Sequence, residues 1–181
     1  MINNPNFVEY NVDKKNEGWH LFRRVLLIFG YILFVILLFV AIYVSNFIPL
    51  GALIPLFTWI LIFFTWRYVS IVYEYTLISG HLTVSKIYGN RKRKVMLEVK
   101  LSDMTLIAPL NKDFSKRIEL AAPVRKYKAL SSEKSPNAYF AIFPTKGGKS
   151  AVLYFDACRK FISSAKFYNS HATVLSDSLT F

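Results

Sequence analysis

Val25–Val44 reads VLLIFGYILFVILLFVAIYV, twenty residues without a charge. At about 1.5 Å of rise per residue a helix of this length covers roughly 30 Å, the thickness of a bilayer's hydrocarbon core. A second uncharged run, 47–66, follows after only Ser45 and Asn46. Gly51 and Pro55 interrupt it, which a spanning helix tolerates better than a soluble one. So short a link predicts an antiparallel hairpin of two membrane spans. A signal peptide fits poorly, because the apolar core is too long and no small-residue cleavage pattern precedes the second run. A buried soluble hairpin fits poorly as well, since neither run has a polar face.

The flanks orient the hairpin. Lys14, Lys15, Arg23 and Arg24 precede the first span and Arg67 closes the second, while the connecting turn has no cation. The positive-inside rule then places both termini in the cytoplasm of a multi-pass cell-membrane protein. Trp19, Arg23, Arg24, Trp66, Arg67 and Tyr68 fall where interfacial aromatic and basic anchors belong. Gly30, Gly51 and Ala52 would permit close helix contact, but ordinary spacing within a membrane segment is the better reading. Neither run holds an Asp, Glu, Lys, Arg or His, so no ion or proton path built from charged groups is expected in them.

Composition divides at the same place. The chain of 181 residues is 54% hydrophobic yet carries a net charge of +12. Residues 1–66 hold 4 Lys+Arg and 3 Asp+Glu, against 19 and 8 in residues 67–181. The predicted organisation is a juxtamembrane segment (1–24), the hairpin (25–66, with spans 25–44 and 47–66), a cytoplasmic domain (67–169) and a tail (170–181). With Cys158 as the only cysteine there is no intrachain disulfide and no cysteine-built metal site.

Beyond Arg67 the pattern becomes short and alternating. Tyr73 to Ile78 and Leu82 to Tyr88 flank a Ser79-Gly80-His81 turn, and Gly89-Asn90 leads into Arg91, Lys92, Arg93 and Lys94. In the next strand Val95, Leu97, Val99 and Leu101 point one way and Met96, Glu98 and Lys100 the other. Thr105 to Ala108 and Tyr127 to Leu130 are weaker strands. Tyr139 to Phe143 and Ala151 to Phe155 are strong ones, joined by Lys146-Gly147-Gly148-Lys149. A helix follows with Asp156 as its expected N-cap and Phe161, Ile162, Ala165 and Tyr168 at helical spacing. His171 to Phe181 has no firm periodicity. The fold class is a membrane α-helical hairpin plus an α+β or mainly β domain, an antiparallel sheet or partly open barrel of about six or seven strands capped by a C-terminal helix.

This cadence resembles the pleckstrin-homology-like (PH-like) fold, and bacterial membrane proteins in which a two-helix hairpin precedes such a domain. The resemblance rests on YEYTLISGHLTVSKIYG (Tyr73 to Gly89), the basic turn RKRK, VMLEVKLSDM (Val95 to Met104) and AVLYFDA leading into the helix. It covers about residues 67–169. That largely uncharacterised family implies no catalytic residues and no cofactor.

The residues themselves point the same way. Gly148-Lys149-Ser150 resembles the end of a phosphate-binding loop, but the motif needs a glycine where Phe143 stands, so a hairpin turn is the better reading. His20, His81 and His171 lack metal-ligand spacing, and Cys158 has no evident histidine base. The basic runs Arg91–Lys94 and Arg125, Lys126 and Lys128 remain. Near an anionic leaflet each cation contributes on the order of 1 kcal/mol. They are the candidate contacts for anionic lipid headgroups or a protein partner, with solvated loops that merely set topology as the plain alternative. Membrane topology explains the charge better than nucleic acid does. The expected function is a non-enzymatic, membrane-anchored binding or scaffold module, possible as a homo-oligomer. The alternative is an accessory subunit of a larger membrane complex such as a transporter, joined through the hairpin.

Overall fold

The computed structural model describes residues 6–175 except 47, 90, 91, 133 and 146, and of Lys112 the backbone alone. Its first element is a strand the sequence reading did not anticipate. β1 (Phe7–Asp13) lies within the segment read as merely juxtamembrane. It pairs antiparallel with β2 (Ile71–Ile78), from Phe7 opposite Ile78 to Asp13 opposite Val72. Val8, Tyr10 and Val12 alternate inward along it, which is the period-2 signal of a half-buried strand. The sheet domain is therefore discontinuous, with the helical hairpin inserted between two neighbouring strands.

α1 (Gly18–Ser45) begins well before the expected Val25, because Trp19 to Arg24 continue the helix. It stops at Asn46, whose φ of 55° takes the left-handed conformation that ends helices. The second run is not one uniform helix. It opens as a 3-10 turn (Ile48–Leu53) and becomes α2 (Ile54–Thr65), with Pro55 in the first turn, where its missing N–H costs nothing. A last 3-10 turn spans Trp66–Tyr68. The helices pack antiparallel. The Tyr31 hydroxyl lies 2.6 Å from Thr65 Oγ1, and the Arg24 guanidinium sits 5.0 Å above the Trp66 ring. Gly30 and Gly51 have nothing within 4 Å of where a Cβ would stand, so neither serves a close helix contact within this chain. Gly18–Ser45 and Ile48–Tyr68 are long and apolar enough to cross a membrane, and 0% and 6% of their most apolar windows are buried by protein.

The remaining chain forms two four-stranded sheets, which do not close into a barrel. The first has the order β1-β2-β3-β4, with β3 (His81–Tyr88) and β4 (Lys92–Lys100). Ser79 (φ 47°) and Gly80 (φ 80°) make the tight β2–β3 turn, both left-handed as a twisted hairpin requires. Between β3 and β4 the register shifts. Val84 faces Leu97 but Ser85 faces Val95, so Met96 is a bulge. The bulge turns Val95 away from Leu97 and leaves it 49% exposed, contrary to the uniform alternation expected of this strand.

The second sheet has the order β5-β7-β8-β6, from β5 (Leu106–Pro109), β6 (Arg125–Lys128), β7 (Ala138–Pro144) and β8 (Ser150–Asp156). The β7–β8 turn is the expected glycine hairpin, with the Thr145 N–H donating to Lys149 O at 2.8 Å. An unanticipated helix, α3 (Lys112–Leu120), lies across this sheet's outer face. Asn111 caps it by accepting the Phe114 N–H at 3.1 Å, and Phe114 and Ile118 pack on Phe140, Ile142 and Val152. Both faces of β7 are thus covered, which explains its unbroken apolar run. Because α3 carries the chain across the sheet to its far edge, β6 returns parallel to β8. The sheet is mixed, where an all-antiparallel one was expected.

The main core lies between the sheets and under α4 (Arg159–Tyr168), around Tyr75, Leu77, Leu82, Tyr139, Phe155 and Phe161. The cap of α4 is Cys158, whose Sγ accepts the Phe161 N–H at 3.4 Å. The expected cap, Asp156, stays in β8 and accepts the Ser131 N–H instead. The start of the tail also has structure. The Ile107 N–H donates to Ala172 O at 2.7 Å and the Val174 N–H to Ile107 O at 2.8 Å, closing the β5 edge.

Candidate functional site

Cations and aromatic rings gather where the hairpin meets the sheets. Lys14 follows β1, and its N–H donates to Ile71 O at 3.0 Å, so the chains entering α1 and leaving α2 are held side by side. Lys15 donates in the same way to Ser131 O, and the Ser132 hydroxyl donates to the Glu17 carboxylate beside the start of α1. Trp19 is 71% exposed and stacks on Phe22. The Arg67 guanidinium lies 4.9 Å from the Tyr68 ring and donates to its hydroxyl at 2.9 Å. Trp19, Arg23, Arg24, Trp66, Arg67 and Tyr68 all sit at this base, around the helix ends.

The β3–β4 turn is clamped to the same place. Gly89 has a φ of 56°, and its N–H donates to Ser70 O at 2.8 Å. A Cβ there would stand 2.7 Å from Arg67 Cβ and 2.9 Å from Arg67 Cα, a separation real Cβ atoms do not show. Only glycine lets the turn lie so close to the helix exit.

The register then sorts the basic run. Arg91 lies outside the described residues. Lys92 pairs with Tyr88 and Lys94 with Lys86, on the sheet face shared with Tyr73. Lys86 and Lys94 are like charges directly opposite, with Cβ atoms about 5 Å apart, an arrangement that destabilises a bare sheet and that an anion relieves. Lys86 Nζ lies 4.8 Å from the Tyr88 ring and Lys14 Nζ 5.9 Å from the Tyr73 ring. Burial, with Tyr88 close by, pushes the Tyr73 phenol up to about 12, so it stays neutral and offers the cations its ring face. Lys14, Lys86, Lys92 and Lys94 form a cationic mouth rimmed by tyrosines. Arg93 points to the opposite face, where it is ion-paired with Glu74, a residue only 3% exposed. It is a structural cation.

Arg125, Lys126 and Lys128 lie elsewhere, exposed on β6 at the edge of the second sheet. Lys128 is near enough to Tyr154 to offset part of the rise that burial gives that phenol. The two basic runs are therefore separate features. Lys14 and Lys86 were missed as members of the mouth because neither belongs to a run, and only strand register brings them to Lys92 and Lys94. Among the described residues no three His, Cys, Asp or Glu side chains are grouped to hold a metal ion.

No curated protein and no solved structure matches the chain. A family pattern does, over residues 4–174, so that β1 and the helical hairpin fall within the matched unit along with the sheets. The chain belongs to the family described as the bacterial PH-like domain DUF6106.

Proposed function

We propose that this protein is a non-catalytic binding module held in the cell membrane by its hairpin, with its termini and sheets on the cytoplasmic side, and that the mouth at the hairpin's base engages anionic lipid headgroups. The observation carrying this reading is the Lys86–Lys94 pair, which forms no ion pair among the described residues, beside Lys92 and Lys14 at the place where two apolar helices join the sheets. An anionic leaflet would supply the missing counter-charge there. The orientation is supported by the pairing of β1 with β2, which brings the chain before α1 and the chain after α2 to one side of the hairpin.

The test is native mass spectrometry of the full chain released from nanodiscs of mixed phosphatidylglycerol and phosphatidylcholine. Wild type retains phosphatidylglycerol preferentially, and K86Q/K92Q/K94Q loses the preference. Equal retention by both proteins refutes the headgroup reading. A protein partner that co-purifies with the hairpin alone would favour the accessory-subunit role instead.

A further inference from the structure

Outside the hairpin, one corner of the fold turns large apolar side chains outward. Leu120, the last residue of α3, is 85% exposed, and Val124, just before β6, is 63% exposed. The corner is well built. The Ala121 N–H donates to Arg117 O at 3.1 Å, the Ala122 N–H to Glu119 O at 3.0 Å and the Val124 N–H to Ser150 O at 2.9 Å. Ala122 holds a φ of 41°, which a residue with a Cβ seldom adopts. An ordered tip that costs backbone strain and leaves Leu120 and Val124 uncovered is shaped for something outside the chain.

Its charge indicates what. Residues 116–128 carry Lys116, Arg117, Arg125, Lys126 and Lys128 against a single acid, Glu119. All five cations are exposed. By strand alternation Lys126 and Lys128 lie on the sheet face that α3 covers, so cations border the apolar tip from both its helix and its strand. Apolar side chains fringed by cations are the composition of a surface that dips into the interface of an anionic bilayer. The corner is joined to the hairpin's base by one short strand. From Val124 the chain runs through β6 to Ser131, whose carbonyl accepts the Lys15 N–H next to the start of α1. Seven extended residues span at most about 25 Å.

We propose that the α3–β6 corner is a second membrane contact, in which Leu120 and Val124 enter an anionic leaflet and the neighbouring cations meet its headgroups. The proposal rests on the reading that the hairpin spans the membrane.

The test uses the full chain in liposomes, with a polarity-sensitive dye on L120C, and separately on V124C, each in a C158S background. Both sites are exposed, so labelling leaves the core intact. The expected result is a blue shift of dye emission in phosphatidylglycerol vesicles. It persists as lipid is raised over protein and is lost in R125Q/K126Q/K128Q. Water-like emission in every vesicle overturns the proposal, while flotation of the same sample shows separately whether the hairpin is inserted. A shift that fades on dilution with lipid overturns it in favour of a second copy of the chain. An equal shift in pure phosphatidylcholine overturns the anionic contact.

Discussion

Replacing Gly89 with alanine separates two costs that the structure places on one atom. The first is conformational. At a φ of 56° an L-residue with a Cβ is disfavoured by about 1–2 kcal/mol. The second is steric, because the new methyl stands 2.7 Å and 2.9 Å from Arg67 Cβ and Cα, close to the backbone rather than at the end of a flexible side chain. Overpacking of this kind adds about 1–3 kcal/mol. Gly148 is the internal control. It has a φ of 73° and nothing within 4 Å of its Cβ position, so G148A bears the conformational cost alone. Thermal unfolding in mild detergent, followed by the circular dichroism of the sheets, reads both. G148A is expected to lower Tm by about 2–4 °C per kcal/mol lost, and G89A by about 1.5 to 4 times as much. Hydrogen exchange should locate the G89A loss in the β3–β4 turn and at the exit of α2. If G89A unfolds no earlier than G148A, the turn is not clamped to Arg67 and the basis for placing Lys92 and Lys94 at the hairpin base is gone.

Three further outcomes follow from the packing. R93A leaves the Glu74 carboxylate buried without its cation and should cost about 1–3 kcal/mol in the same melting assay, whereas K92A, at an exposed position, stays within about 0.5 kcal/mol. Burial raises the Cys158 thiol above its ordinary range, so the thiolate fraction at a given pH is smaller than in a free cysteine. Alkylation by iodoacetamide at pH 8 should be slower than for free cysteine and should still climb above pH 9; a plateau below pH 9 contradicts the buried cap. Residues 67–175 alone lack β1 and should remain unfolded by circular dichroism, while joining Lys14 to Ser70 by a short Gly/Ser turn should give a folded, soluble sheet domain, because Lys14 and Ile71 are already hydrogen-bonded.

Much of this architecture is legible in the residues, and what is hidden has physical causes. Val25–Val44 and the Ser79-Gly80 turn are strong local signals, because a charge-free span and a left-handed dipeptide have few alternatives. β1 has a readable alternation in Val8, Tyr10 and Val12, but its partner lies beyond two helices and nothing local announces the pairing. α3 carried its own cues, an Asn111 cap and Phe114, Ile118 and Ala121 at helical spacing, set in a polar stretch that reads as loop. The bulge at Met96 and the parallel entry of β6 are tertiary facts without a local signature. The candidate site was legible only in part. The run Arg91–Lys94 gave its location, but register decided that Lys92 and Lys94 join Lys86 and Lys14 while Arg93 goes to Glu74.

Because β1 is synthesised before both helices and its partner only after them, β1 must wait for the hairpin before it finds its neighbour. If the hairpin spans a bilayer as proposed, a nascent protein whose amino end slipped across it would leave the flank of β2 bare and the Tyr10–Tyr75 stack unmade. Correct threading and a complete sheet are thus one event. On the proposed reading, the order of the segments ties completion of the fold to both flanks of the hairpin lying on one side.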